Sequence, residues 1–190
     1  MELLRKSFYE RDPAAVAQQL LGYRLVRRLE RITLEGLIVE TEAYYGSKDP
    51  ASRAYHGMKR YNKNMWDEAG TIFIYNVHNY WMFNIVAHES GKVGAVLLRA
   101  IEPIKGIEIM RANRGIKDVG LLTSGPGRLS RALKIDKSLN NSSVTSNKNS
   151  VFVIKNLMKF EVETSHRIGV RIDLDKELRF HIKGNKFVSG

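Results

Sequence analysis

Apolar and polar residues alternate with period two over several stretches of this chain, and only short windows carry helical spacing. Residues 23–29 and 34–44 are rich in alternating and β-branched positions and predict two strands. Residues 71–75 and 80–87 predict a β-hairpin closed by a tight turn around Val77-His78-Asn79. Further strands are predicted over 95–100, 151–154, 159–163 and 178–183. Helical signals are brief. Asp12 precedes Pro13 and Gly22 closes the run, framing a helix over 14–21 with an acidic cap and a glycine stop. Ile104, Ile107 and Met110 recur at helical spacing after Glu102-Pro103, which predicts a helix over 104–113. Ser124-Gly125-Pro126-Gly127 opens another over 128–133, with first-turn amides able to face a phosphate.

Because the strands succeed one another without crossover helices, the sheet must be mostly antiparallel and the fold class α+β. Two segments stand apart from this pattern. Residues 45–70 are long, basic and poor in aliphatic side chains, the profile of a functional loop. Residues 138–150 are a Ser/Asn-rich run expected to be a mobile surface loop.

Composition narrows the classes. The 190 residues fit a single domain over 1–190, and 43% hydrophobic with 27% charged residues describes a globular chain. No cysteine is present, which excludes disulfides, thiolate metal sites and a thiol nucleophile. No apolar run approaches the roughly 18 residues of a membrane span. A cytoplasmic location without a membrane partner is expected, at the nucleoid if the source is prokaryotic. Lys and Arg outnumber Asp and Glu by 31 to 20, a formal charge of +11 that favours polyanions with a steep salt dependence. The charge is uneven: over 48–64, Lys48, Arg53, Lys59, Arg60 and Lys63 stand against Asp49 alone.

The most informative segment is Gly36-Leu-Ile-Val-Glu-Thr-Glu-Ala-Tyr44. On a strand, Ile38, Glu40, Glu42 and Tyr44 share a side. Either the carboxylates line a groove, where a partly desolvated Glu serves as general base, or they are solvated on an exposed edge. Phe73, Tyr75, His78, Tyr80, Trp81 and Phe83 gather around Asn84 in the hairpin. Flat side chains beside basic loops suit the stacking of unpaired bases, and equally suit a sheet core. His88-Glu89 lacks the second His of a zinc-protease helix, and neither a Walker loop nor a dinucleotide-binding glycine pattern is present. Metal and cofactor are expected to be none.

Taken together, these segments resemble the alkyladenine (3-methyladenine) DNA glycosylase family, the methylpurine glycosylases. The likeness rests on Ile38-Val-Glu-Thr-Glu-Ala-Tyr44, Asp49-Pro-Ala-Ser52 and Val96-Leu-Leu-Arg-Ala-Ile-Glu-Pro103. Ser124-Gly-Pro126, Arg167-Ile-Gly-Val170, Leu178-Arg-Phe180 and Gly184-Asn185 extend it to the far end of the chain. The resemblance implies a curved, mostly antiparallel sheet flanked by short helices with a protruding hairpin. It also implies a monomeric, monofunctional base-excision repair enzyme acting on double-stranded DNA that contains damaged purines. Such an enzyme flips an alkylated or deaminated purine (3-methyladenine, 7-methylguanine, hypoxanthine or ethenoadenine) and hydrolyses its N-glycosidic bond.

Carried onto this sequence, the family pattern makes Glu42 the catalytic acidic residue that deprotonates the attacking water, and Arg99 the basic residue that helps hold that water and the nearby phosphate. The backbone around Ile168 completes the water site. Tyr44 and Tyr75 sandwich the base, and Asn84 excludes guanine. Two positions depart from the pattern. Arg53 stands where the family usually has His, bringing a fixed positive charge to the base pocket, and the hairpin tip is one residue shorter, leaving His78 and Tyr80 both as candidates for the DNA wedge. Two competing expectations are a non-catalytic nucleic-acid-binding protein and a helix-hairpin-helix glycosylase, whose Gly-x-Gly turn residues 122–132 superficially match.

Overall fold

The computed structural model describes residues 2–190. Its centre is an eight-stranded sheet in which every strand pairing is antiparallel. The strands are β1 (Arg24–Leu29), β2 (Ile32–Tyr44), β3 (Ile72–Val77), β4 (Tyr80–Val86), β5 (Ala95–Lys105), β6 (Val151–Ile154), β7 (Val162–Ser165) and β8 (Arg179–Ile182). They run in the order β3-β4-β5-β2-β1-β6, with β8 beside β2 and β7 beside β8. The α+β fold with short helices and a terminal hairpin is thus the one the alternating pattern required.

Strand β2 organises the sheet. Its first half pairs with β1, and Glu40, Thr41 and Glu42 then pair with β8, while β5 runs along the other side. Register shifts between Ile38 and Glu40, and again between Glu40 and Thr41, mark bulges that bend the sheet where the partner changes. The curl makes the last residues of β2 the floor of a concavity.

Four short helices cover the sheet: α1 (Lys6–Tyr9), α2 (Pro13–Leu20), α3 (Ile107–Arg114) and α4 (Pro126–Ala132). The Asp12 carboxylate caps α2 by accepting from the amides of Ala14 and Ala15. Val16, Ala17 and Leu20 of α2 are fully buried in the main core with Ile38, Val39 and Leu98. The Thr41 hydroxyl donates to the Ala17 carbonyl at 2.8 Å, tying helix to strand.

Several element boundaries differ from the sequence reading. Strand β5 does not stop before Pro103; it continues to Lys105, and α3 begins only at Ile107 after the left-handed Gly106. Strand β4 covers β5 only from Ala95 to Leu97, so the proline's missing amide falls where β5 has β2 alone as its strand neighbour. Strand β7 lies further along the chain than 159–163, at Val162–Ser165, and the first short helix, α1, had no apolar period long enough to announce it.

The long basic segment 45–70 contains no strand and a single 3₁₀ turn, Lys63–Trp66. Buried side chains hold it in place. Asn62 is completely buried, its amide donating to the carbonyls of Arg53 and Gly57 while its oxygen accepts from the Lys59 amide. Segment 138–150 runs beside the outer edge of β3: the Ile72 amide donates to the Ser142 carbonyl, the Asn141 amide to the Ile72 carbonyl, and Val144 is fully buried.

Candidate functional site

Glu40 and Glu42 are both 0% exposed, which removes the solvated-edge reading of this strand. Alternation aims both carboxylates into the same concave region, and one guanidinium separates them. Arg99, on the neighbouring strand β5, donates from Nε to Glu40 Oε1 at 2.7 Å and places Nη1 3.1 Å from Glu42 Oε1. Tyr44 donates its phenol to Glu42 Oε2 at 2.7 Å, and the Ile168 amide donates to Oε1 at 2.8 Å. Ile38, by contrast, packs with Val39 in the main core, because the bulge breaks the alternation between it and Glu40.

The two glutamates are electrostatically unlike. Burial pushes the Glu42 carboxyl above its ordinary value of 4.5, and the opposing pull of Arg99, the Ile168 amide and Tyr44 does not cancel it. Burial also opposes ionisation of Glu40, yet Arg99, the Ser189 amide and Arg179 outweigh it and hold that carboxyl below 4.5. Glu40 is therefore a committed carboxylate, and Glu42 a carboxylate with raised basicity. That difference singles out Glu42 as the group able to accept a proton.

The loop that supplies Ile168 is fixed by Arg167. This guanidinium bonds both oxygens of Asp49 at 2.7 Å, reaches the Ala43 carbonyl at 2.9 Å and donates from Nε to Asp173 at 2.9 Å. It also lies 4.5 Å from the centroid of the Tyr44 ring. Neither Asp49 nor Arg167 was assigned a position in the site from sequence. Both lay inside blocks quoted for the family likeness, but the contact joins residues 118 apart, and a local pattern carries no such information.

Around these charges stands an aromatic and apolar wall. Tyr44, Met82 and Leu97 form a small cluster against which Ala51, Tyr75, Val77 and Val170 pack. The register of the hairpin places Tyr75 opposite Met82 and Phe73 opposite Asn84, so these residues share one face. Asn84 is buried, and its amide nitrogen donates to the carbonyls of Phe73 and Met82, which fixes its orientation. The Arg53 guanidinium lies 4.5 Å from the centre of the Tyr75 ring. Sequence-selected Glu42, Tyr44, Tyr75, Asn84, Arg99 and Ile168 are thus gathered in one place, with exposed Arg53 at the rim.

The hairpin ends in a two-residue turn with both φ angles positive, 48° at His78 and 66° at Asn79, the geometry of a tight type I′ connection. His78 is exposed at this tip. Tyr80 is exposed as well, at 42%, with its ring laid against the start of α4: a Cβ placed on Gly127 would meet it at 2.7 Å. On the other side of the hairpin is a groove of about 750 Å³, bordered by Arg53, Arg60, Lys63 and Lys137 with Tyr61 and Trp81 among its walls.

The model of the methylpurine-DNA glycosylase family matches residues 7–186. The chain belongs to that family. As a methylpurine-DNA glycosylase it is a DNA repair enzyme, a monofunctional hydrolase of N-glycosyl bonds in DNA. Relatives bearing the name "Putative 3-methyladenine DNA glycosylase" include one from Aeropyrum pernix, 40% identical over 98% of this chain and 93% of its own. Another, from Rhodopirellula baltica, is 39% identical over 98% of this chain and 83% of its own, and one from Staphylococcus saprophyticus is 38% identical over 96% and 91%. No helix among the described residues is long and apolar enough to cross a membrane.

Proposed function

We propose that this glycosylase extrudes a damaged purine from duplex DNA and hydrolyses its N-glycosidic bond, with Glu42 as general base. The observation that carries the reading is a fully buried carboxylate of raised basicity, held at both oxygens and flanked by a guanidinium and two tyrosines. Water gives its proton to Glu42 as its oxygen bonds to C1′ of the sugar. The C1′–N bond breaks and its electron pair leaves with the purine. Alkylation at N3 or N7 makes that purine cationic beforehand, so it departs neutral. Arg99 and the Ile168 amide keep Glu42 ionised enough to serve, and preorganised positioning of the water supplies much of the remaining acceleration.

Tyr44 and Tyr75 provide the stacking faces for the extruded base, and His78 at the exposed tip is the wedge that fills its place. Tyr80 is the weaker candidate because its ring is already seated on Gly127. Phosphates on either side of the lesion are matched by Arg60, Lys63 and Lys137 along the groove behind the hairpin. Arg53 sets lesion preference. Its guanidinium already occupies the electron-rich face of Tyr75 that would otherwise attract a cationic base. In binding, neutral lesions such as hypoxanthine and ethenoadenine are therefore favoured relative to 7-methylguanine; on cleavage the electron pair that leaves with such a neutral purine must be taken up by a proton from solvent, a requirement the cationic lesion does not have.

Single-turnover excision from duplexes carrying each of these three lesions tests both parts. Wild-type protein is expected to release free base. Glu42→Gln is expected to be slower by about 10²–10⁴-fold, the usual worth of a positioned base, with lesion binding changed only a few-fold. Excision by Glu42→Gln at the wild-type rate would remove Glu42 from the mechanism. Tight binding without release of any base would favour the damage-binding reading. Arg53→His is expected to raise excision of 7-methylguanine relative to hypoxanthine; an unchanged ratio would exclude Arg53 from lesion choice.

A further inference from the structure

The catalytic carboxylate and its guanidinium do not by themselves explain why Glu40 is buried beside them. Arg99 is divided among three acceptors: Nε to Glu40, Nη1 to Glu42, and Nη2 to the Ser189 hydroxyl at 3.0 Å. Glu40 in turn accepts from four donors. Its Oε1 takes Arg99 Nε and Arg179 Nε, both at 2.7 Å, and the Ser189 hydroxyl at 2.8 Å; its Oε2 takes the Ser189 amide at 2.7 Å. Arg179 Nη2 then closes the ring on the Ser189 carbonyl at 2.7 Å. Two strands and the segment that follows β8 therefore converge on one carboxylate, 149 residues from Ser189 in sequence. A buried charge held by four donors is rigid, and breaking it by removing one partner is costly.

We propose that Glu40 is a positioning residue for the glycosylase reaction: it holds Arg99 in the orientation that serves Glu42 and anchors the Ser189 segment behind the site. The inference rests on Glu42 being the base. Without Glu40, the Nε side of Arg99 has lost its ionic partner, and the guanidinium turns toward Glu42 as its one remaining carboxylate. The proton acceptor is then more strongly paired and less basic. Loss of the Glu40 charge acts in the same direction. The charged and titratable groups around Glu42 are Arg99 from β5, Tyr75 from β3, and Glu40 and Tyr44 from its own strand, with Arg179 of β8 beside it in register but turned to Glu40 and Arg167 of the loop over the Tyr44 ring.

The test is the pH profile of single-turnover excision for wild type, Glu40→Gln and Ser189→Ala, with lesion-duplex affinity measured in parallel. Glu40→Gln is expected to be slower by about 100-fold, the size of loss that ångström-scale misplacement produces. Its affinity should stay within a few-fold, and its acid limb should move to lower pH. Ser189→Ala keeps the Glu40 charge but removes one donor to it and one acceptor from Arg99. A smaller rate loss is expected there, with the acid limb in place. A slower Glu40→Gln whose acid limb does not move would make Glu40 merely structural and overturn the proposal, as would a wild-type rate. Should Glu40→Gln fail to melt cooperatively, Ser189→Ala decides: a wild-type rate overturns the proposal, and a selective rate loss upholds it. An active Glu42→Gln would instead overturn the reading of the base, whatever Glu40 does.

Discussion

Glu42 sits between two buried ionic knots that are charge inverses of each other. On one side a single carboxylate, Glu40, collects two guanidiniums, Arg99 and Arg179. On the other a single guanidinium, Arg167, collects two carboxylates, Asp49 and Asp173. The first knot joins strands β2, β5 and β8 across the sheet. The second joins loops, fastening the segment after Tyr44 to the segment after β7. Their products differ accordingly. The sheet knot delivers a cation to Glu42, and the loop knot delivers a backbone amide, that of Ile168. The proposed general base is thus tuned from a rigid side by charge and from a loop side by a neutral donor. Ångström-scale movement of the loop costs a hydrogen bond, whereas movement of the sheet side would unpair ions at buried positions.

The largest expected effect breaks the loop knot at its hub. Arg167 and Asp49 side chains are both 0% exposed, so Arg167→Met leaves a buried carboxylate without its counter-ion. Removing one partner of such a pair costs about 3–5 kcal/mol. In a chain of this length that lowers the melting temperature by roughly 10 °C. Thermal melting checks the stability, and single-turnover excision below the melt should also fall, since Ile168 loses its anchor. A melt within a degree of wild type would show that Asp49 finds water or another donor, and that the loop knot is softer than its geometry.

How much of this was legible in the sequence follows from the range of each interaction. Alternation along β2 places Glu40 and Glu42 on one side because side-chain direction in a strand is a two-residue property. The hairpin itself was legible, but not its register: the sequence reading turned it around Val77-His78-Asn79, whereas the two-residue turn pairs Tyr75 with Met82 and Phe73 with Asn84 and puts Trp81 and Phe83 on the opposite face. The roles of Arg167, Asp49 and Ser189 were not legible, because their partners lie 118 to 149 residues away and nothing local encodes the pairing. The family likeness pointed to the blocks containing Asp49 and Arg167 but not to the ion pair between them. Pro103 misled in the opposite way. A local breaker was overridden because its missing amide sits where only one neighbouring strand is paired.

The two glutamates offer a second, smaller contrast, in which stability should respond to pH with opposite signs. Glu40 titrates below its ordinary 4.5 in the folded protein. Its contribution is complete above that value and is lost as pH falls through the lowered one. Glu42 titrates above 4.5, so its ionisation opposes folding, and the penalty grows as pH rises through the raised value. At pH 7, Glu40→Gln should therefore melt below wild type and Glu42→Gln at or above it, the Glu42 difference fading as pH falls from its raised value to 4.5 and the Glu40 difference only below 4.5. Stabilisation by Glu40→Gln, or a clear loss with Glu42→Gln, would reverse the assignment of which carboxylate is committed and which is basic.

The smallest effect lies on the outer arm of the loop knot. The Asp173 side chain retains 16% exposure, accepts from Arg167 Nε and from the Arg167 and Leu174 amides, and shares Arg167 with Asp49. Burial opposes its ionisation, yet the Arg167 bonds prevail and hold its carboxyl below the ordinary 3.8. Asp173→Asn keeps one accepting oxygen but loses the charge and turns the other acceptor into an NH2 group facing a donor, so at pH 7 it should cost roughly 1.5–3 kcal/mol, the range for a hydrogen bond to a charged group. Because a depressed carboxyl stabilises only while ionised, this gap should persist down to about pH 4 and close as pH falls through the lowered value, where wild-type Asp173 is itself neutral. Melting curves of the two proteins across that interval measure it. If the gap stays constant into the acid range, Asp173 holds the loop by shape and not by charge, and the loop knot then reduces to the Arg167–Asp49 pair, no longer the charge inverse of its counterpart around Glu40.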